Sequence, residues 1–358
     1  MSLALYAPGL GYYSAGARKF GAEGDFITAP EVSPLFARCL ADQCAEALRA
    51  LPAGERTVME LGAGTGKMAV EMLRTLARLD CLPDCYLIVE VSADLRQRQH
   101  DVLRQQAPDL ASRVRWLDGP PEAPFAGVVV GNEIIDALVV KRFKRTEAGW
   151  EEIGVSLGPD GFEDAPKPAD KVLIERLQGL ETALGYDLPE GYQSEINVNL
   201  APWLATVAGC LSQGVLLFID YGMARHEYYQ PQRRCGTLRC HYRHRAHDDP
   251  YFWPGLQDIT AWVDFTALAE AALAQGLDVS GYTTQAHFLL GSGMERYLAA
   301  AADDAVAQYE LAQGAKRLLL PGEMGERFKV MALSKGDVPA LSGMHHRDLR
   351  DRLYPFAR

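Results

Sequence analysis

Residues Val58-Met59-Glu60-Leu61-Gly62-Ala63-Gly64-Thr65-Gly66-Lys67 (VMELGAGTGK) place three glycines within five positions, directly behind an apolar run. Such a stretch reads as a buried strand opening into a loop whose backbone must approach something closely. Three nucleotide loops compete for it. The dinucleotide fingerprint G-x-G-x-x-G fails, because the sixth residue counted from Gly62 is Lys67 and the third glycine comes one place early. The phosphate loop G-x-x-x-x-G-K-[ST] fails too: Gly66-Lys67 fit its end, but Leu61 stands at the first glycine position and Met68 at the hydroxyl position. What remains is E-x-G-x-G-x-G.

Outward from this loop, short apolar runs alternate with helical periodicity, the pattern of a doubly wound α/β fold with a parallel sheet. Strands are expected at Thr57–Leu61, Cys85–Glu90, Val114–Leu117 and Gly127–Gly131. Between them lie helices over Lys67–Leu79, with Met68, Met72, Leu73 and Leu76 at helical spacing, and over Ala93–Gln106, after a Ser92 cap and before Pro108. A further buried strand, Val215–Ile219 (VLLFI), ends at Asp220-Tyr221-Gly222, and Leu277–Tyr282 with Phe328–Leu333 forms a late β pair. In such a sheet E-x-G-x-G-x-G after the first strand is the form of the S-adenosylmethionine loop of class I methyltransferases. Glu60, Gly62, Gly64 and Gly66 are then cofactor-binding candidates. Glu90, ending the second strand, is placed to accept hydrogen bonds from ribose hydroxyls, and Asp118, ending the third, to lie beside the adenine. A tight turn flanked by two solvated acids would use the same residues.

The fourth strand runs into Gly131-Asn132-Glu133-Ile134-Ile135-Asp136. Two carboxylates and an amide at the exit of a central strand face the place where a transferable methyl group should point. The same pattern also fits a helix start, with Asn132 as cap and Glu133 and Asp136 complementing the dipole.

Composition narrows the partners. The chain has 358 residues, 36 Lys+Arg against 47 Asp+Glu and a net charge of −11, which disfavours nucleic acid or an anionic membrane and suits a protein partner. Seven scattered cysteines read as a reducing compartment rather than a disulfide scaffold. No stretch approaches the ~18 apolar residues of a membrane span, and residues 1–15 lack the pattern of a signal peptide. A soluble chain is expected, cytoplasmic in a bacterium and in the mitochondrial matrix in a eukaryote; self-association into a homodimer stays open.

The blocks GLGYYS, FGAEGDFITAPEVSPLF, ELGAGTG, YLIVEVS, GNEIIDALVV, IDYG, DITAWVDF and MGERFKVMAL follow one another from near Leu5 to about Leu333. Together they resemble the MidA family of methyltransferases, which includes a mitochondrial complex I assembly factor that acts as a protein arginine methyltransferase. The family pattern usually includes residues upstream of LALYAPGLGYY, so a truncated beginning is expected. Trp262 in ITAWVDF departs from the polar residue, often His, expected of bacterial relatives.

The resemblance implies S-adenosyl-L-methionine as cofactor and methyl transfer to an arginine of a respiratory complex I subunit. Glu133, aided by Asp136, Asn132 or Glu31, would hold the guanidinium by bidentate hydrogen bonds. Asp25, Thr28, Pro30 and Glu31 would fold over the cofactor as a lid, with residues 1–52 as an N-terminal arm. Residues 53–140 would form the cofactor half of the core, 141–200 an inserted strand and helix segment, 201–335 the second half, and 336–358 a tail. The aromatic and His-rich stretch 221–260 is assigned to substrate recognition, with Tyr221, His247 and Asp248 as substrate-binding candidates. Cys235, Cys240, His241, His244 and His247 match no common zinc spacing, and no metal is expected. A small-molecule acceptor, and a cofactor-binding assembly chaperone without turnover, remain as alternatives.

Overall fold

The computed structural model describes residues 1–14, 27–52, 54, 56–300 and 304–354. The central sheet is built from β1 (Arg56–Leu61), β2 (Cys85–Val89), β3 (Val114–Leu117), β4 (Phe125–Asn132), β5 (Leu211–Met223), β6 (Asp278–Thr284) and β7 (Phe328–Lys335). In space they run β6-β7-β5-β4-β1-β2-β3. β1 to β5 are parallel, and β7 lies antiparallel between β5 and β6, the late pair expected from the sequence. This is a class I methyltransferase sheet. Both of its faces are covered, which is why its strands read as continuous apolar runs. Along β5, Val215, Leu217 and Ile219 enter the core on one face, and Leu216 and Phe218 the core on the other.

Each covering helix follows from its sequence. Lys67–Arg78 buries Met68, Met72, Leu73 and Leu76. Ala93–Gln106 starts where the Ser92 hydroxyl accepts the Leu95 N–H at 3.4 Å. Pro34–Arg49 has Pro at its first position and Ser33 as cap, and buries Phe36, Leu40, Cys44 and Leu48. The arm expected over residues 1–52 therefore divides, because Pro34–Arg49 is a core helix beneath the sheet. On the opposite face, Leu200–Gly209 and Phe265–Ala274 supply Leu204, Leu268 and Ala272.

Two excursions leave the sheet. Residues 141–196 form a four-stranded antiparallel sheet backed by the helix Lys171–Leu184, around Phe143, Trp150, Leu177 and Tyr192. The connection 221–260 is folded: Arg245–His247, Arg239–Tyr242 and Asp258–Thr260 make a three-stranded sheet. Cys240 and Ile259 of that sheet pack on Leu5 and Tyr12, fastening the first fourteen residues to the insertion.

The chain turns from β1 toward β2 and β3 on one side and from β4 toward β5 on the other. The crevice outside the carboxyl ends of β1 and β4 is where open α/β sheets bind ligands.

Candidate active site

A cavity of about 380 Å³ opens in this crevice, within the usual size range of small-molecule sites. One wall is the glycine loop. Gly62, Gly64 and Gly66 have φ of +65°, +52° and +83°, the left-handed region open to glycine. A Cβ on Gly62 would lie 2.6 Å from Ile134 Cδ1, and one on Gly66 3.2 Å from Gln99 Cα, so both are needed for close packing. Gly64 differs: nothing lies within 4 Å of its would-be Cβ, and it lines the cavity.

Two buried glutamates stand beside the loop. Glu60 is fully buried; one carboxyl oxygen accepts the Tyr86 hydroxyl at 2.6 Å and the other has no protein partner. Burial, with the Glu90 charge nearby, pushes its pKa up to about 7. Glu90, which lines the cavity, accepts the Ser92 N–H at 2.9 Å and the Gln99 Nε2 at 3.1 Å. Gln99 also donates to the Gly64 carbonyl at 3.0 Å and accepts from Trp116 Nε1 at 2.9 Å. One buried amide thus ties the glycine loop, the ribose-type acid and β3 together. Sequence reasoning passed over it, although Gln99 shares an i, i+4, i+8 stripe with the buried Leu95 and Leu103.

The N-terminal segment closes over the loop. Thr28 and Pro30 line the cavity, and Glu31 accepts the Thr65 hydroxyl and the Lys67 ammonium, each at 2.5 Å. Glu31 was expected to assist Glu133; its oxygens are instead held by the glycine loop. Asp25 lies outside the described residues.

Further along the cavity wall carboxyls gather. Glu133 leaves β4 with φ +55°, an uncommon conformation for a residue with a side chain. Its carboxyl accepts from Asn132 Nδ2 at 3.0 Å, from the Tyr221 hydroxyl at 3.1 Å and from the Ala29 N–H. Burial, and then the charge of Asp220, raise its pKa to about 8. Asp136 is likewise pushed well above the carboxylate range by burial and by Asp220, Glu133 and Asp258. Asp220, at the end of β5, accepts the N–H groups of Ile134, Ile135 and Asp136 on one oxygen, at 3.2, 2.8 and 3.2 Å, and that of Tyr221 on the other at 2.9 Å. It shapes the acidic loop from behind, a role the sequence did not assign. Tyr6 and Tyr13 stack at 5.6 Å in the wall, bonded to the Ala137 carbonyl at 2.7 Å and to Asp258 at 2.9 Å.

The structure therefore brings together Thr28, Pro30, Glu31, Glu60, Gly62 and Gly64 with Glu90, Asn132, Glu133, Asp136 and Tyr221. Gly66 serves the site by starting the helix behind it. Asp118 stays outside: it ends the edge strand β3, its side chain is 89% exposed, and it pairs with Arg96. His247 and Asp248 also stay outside. His247 packs edge-on against Phe252 and accepts the Asp249 N–H at 3.3 Å, and Asp248 pairs with Arg239. Cavity residues missed from the sequence are Tyr6, Tyr13, His241 and Asp258, because chain distance hides what the insertion and the first residues share. Among the described residues no group of three or more His, Cys, Asp or Glu could hold a metal ion, and no helix is long and apolar enough to cross a membrane.

Residues 39–283 match the model of a family described as "Putative S-adenosyl-L-methionine-dependent methyltransferase". A crystal structure from Burkholderia thailandensis, bound to S-adenosyl-homocysteine, shares 48% identity over 97% of this chain and 89% of its own, with a TM-score of 0.91. The chain is also similar to proteins named "Protein arginine methyltransferase NDUFAF7, mitochondrial": that of Bos taurus is 30% identical, over 93% of this chain and 78% of its own. The Danio rerio protein of that name is 28% identical, over 93% and 82%. The cofactor is S-adenosyl-L-methionine, and the residues fit it: Gly64 lines the cavity with nothing within 4 Å of a would-be Cβ, the Glu90 carboxylate stands in the cavity wall, and one buried Glu60 oxygen has no partner.

Proposed function

Because the chain belongs to this family of S-adenosyl-L-methionine-dependent methyltransferases, we propose that its acceptor is an arginine side chain of a protein, and that the target is a subunit of respiratory complex I during assembly. The observation that carries this reading is the acidic part of the cavity, where Glu133 and Asp136 lie beside Asp220. The name shared by the relatives supports it. The names of these relatives include the word mitochondrial, so the proposed place of action is the matrix in a eukaryote and the cytoplasm in a bacterium.

The bound cofactor supplies a methyl group on a positively charged sulfur. The chain's own residues do the rest. Glu60, the glycine loop and Glu90 hold the cofactor, while Thr28 and Pro30 wall off water. An arginine side chain enters as a cation, its pKa being above ~12. In the empty cavity Glu133 is raised to about 8 and holds its proton at neutral pH. An entering cation favours the ionised carboxylate, so the proton leaves as the guanidinium binds. Bidentate bonding to Glu133 draws positive charge toward the bound nitrogens and leaves the third with lone-pair character. Asn132 and Tyr221 fix the carboxylate plane, which makes the arrangement one of orientation and charge.

The test is incubation with methyl-labelled S-adenosyl-L-methionine and an extract of a strain lacking the protein, with mass spectrometry of any labelled band. Label on an arginine of a complex I subunit supports the reading. Label confined to a small molecule, or cofactor binding with no label at all, favours a different acceptor or an assembly role without turnover.

A further inference from the structure

Five non-glycine residues of the described chain have left-handed backbone: Asp80, Glu133, Arg243, His244 and Trp253, with φ between +47° and +61°. Glu133 belongs to the cavity. Arg243, His244 and Trp253 lie together on one surface beside its acidic end. Arg243 and His244 are the two central residues of the tight hairpin between Arg239–Tyr242 and Arg245–His247, where Asn-Gly or Gly-Gly suits the backbone. Trp253 is half exposed, stacks on Phe252 at 4.8 Å and meets Tyr242 edge-on at 5.0 Å. Side chains kept in an unfavourable conformation at the surface point to use rather than to folding.

The charge of this surface opposes that of the molecule. Three arginines, Arg239, Arg243 and Arg245, stand on this surface with Asp248 and Asp249 next in the chain, within a protein of net charge −11. Arg239, Arg243 and Arg245 are exposed, and Arg239 pairs with Asp248. The basic crest is also rigidly tied to the cavity. In the strand Arg239–Tyr242, Cys240 is buried on Leu5 and Ile259, while its neighbour His241 lines the acidic end.

We propose that this crest docks the segment of the protein substrate that flanks the target arginine, and that the segment is acidic with aromatic or aliphatic side chains. The proposal rests on the arginine reading above and extends it: an acidic cavity takes the arginine, while a basic, aromatic rim takes an acidic, apolar flank. Complementary charge fixes register and suppresses partners of the wrong sign. Basic and aromatic groups together also suit single-stranded RNA. The overall negative charge and the continuity of the crest with the acceptor cavity favour protein.

The experiment uses three fluorescein-labelled probes measured by anisotropy: a peptide of alternating Glu and Phe without arginine, the same peptide with Lys for Glu, and an oligouridylate. They are tested on the full chain, on Arg243→Glu/Arg245→Glu and on Trp253→Ser. The expected result is that the Glu/Phe peptide binds best, loses at least tenfold in affinity in both variants, and that S-adenosyl-homocysteine binding is unchanged. Equal binding by the variants, or tighter binding of the Lys peptide or the oligouridylate, overturns the proposal. A fourth probe, the Glu/Phe peptide with one arginine added, separates the two levels. Docking without methyl incorporation removes the arginine reading and leaves the crest, whereas methylation with the same KM in all three proteins removes the crest and leaves the reading.

Discussion

The Tyr221 hydroxyl donates to Glu133 Oε2 at 3.1 Å, joining the carboxyl ends of β5 and β4 across the acceptor end of the cavity. Burial and then the Glu133 charge push the Tyr221 phenol well up, while the phenol's hydrogen bond partly offsets the burial that lifts Glu133 to about 8. The proposed acceptor would meet this pair as a cation.

The pH dependence of turnover follows. With Glu133 raised to about 8 and Asp220 to about 7, the empty site is largely protonated at pH 6. The kcat/KM for the acceptor should therefore rise as pH increases from about 6 to 8, approaching tenfold per unit on the steep limb, because kcat/KM reports the free enzyme. A flat profile over that range would count against carboxylate binding of the acceptor.

Stability should move the other way. Glu133 holds its proton in the fold up to about 8 but ionises near ~4.3 when unfolded, so between these values the folded state binds more protons. Its contribution is fully present below the unfolded pKa and is lost as pH rises through the folded one. Thermal melts of Glu133→Gln should show a shallower fall from pH 5 to pH 9 than those of the natural chain, with the two proteins most alike near pH 4.

Gly64→Ala separates binding from folding. No atom lies within 4 Å of the new Cβ, so the fold should lose only the left-handed penalty of about 1–2 kcal/mol. Gly64 lines the cavity, so calorimetry should find S-adenosyl-homocysteine bound at least tenfold more weakly.

How far these features were legible depends on how local their causes are. The strand VLLFI, the helix Ala93–Gln106 with its Ser92 cap and the glycine loop are each set by neighbours in the chain, and the structure has them within a few residues of the expected bounds. Asp118, expected beside the adenine, follows the edge strand β3 with its side chain exposed and paired with Arg96, a placement that its own sequence does not show. Asp220 stood in the quoted IDYG block, but its work is done on N–H groups 84 to 86 residues away. Glu31 was seen as an acid near the site, yet only the docked N-terminal segment reveals Thr65 and Lys67 as its partners.

Gln99→Leu should loosen the cofactor end. It removes the bonds to Gly64 and Glu90 and leaves the Trp116 N–H without its acceptor. The expected stability loss is about 1–3 kcal/mol. Affinity for S-adenosyl-homocysteine should fall about tenfold, equivalent to roughly 1.4 kcal/mol. Unchanged affinity would mean that Glu90 and the loop are positioned without it.

The most direct measurement compares the natural chain with Glu133→Gln for transfer of labelled methyl groups to protein arginine, with S-adenosyl-homocysteine affinity measured in parallel. The predicted result is that the natural chain labels arginine while the variant loses about 10²-fold or more in rate, as when a preorganised charge-stabilising group is removed, and that cofactor affinity stays within about twofold. Full labelling by Glu133→Gln, or label on a residue other than arginine, would contradict the account.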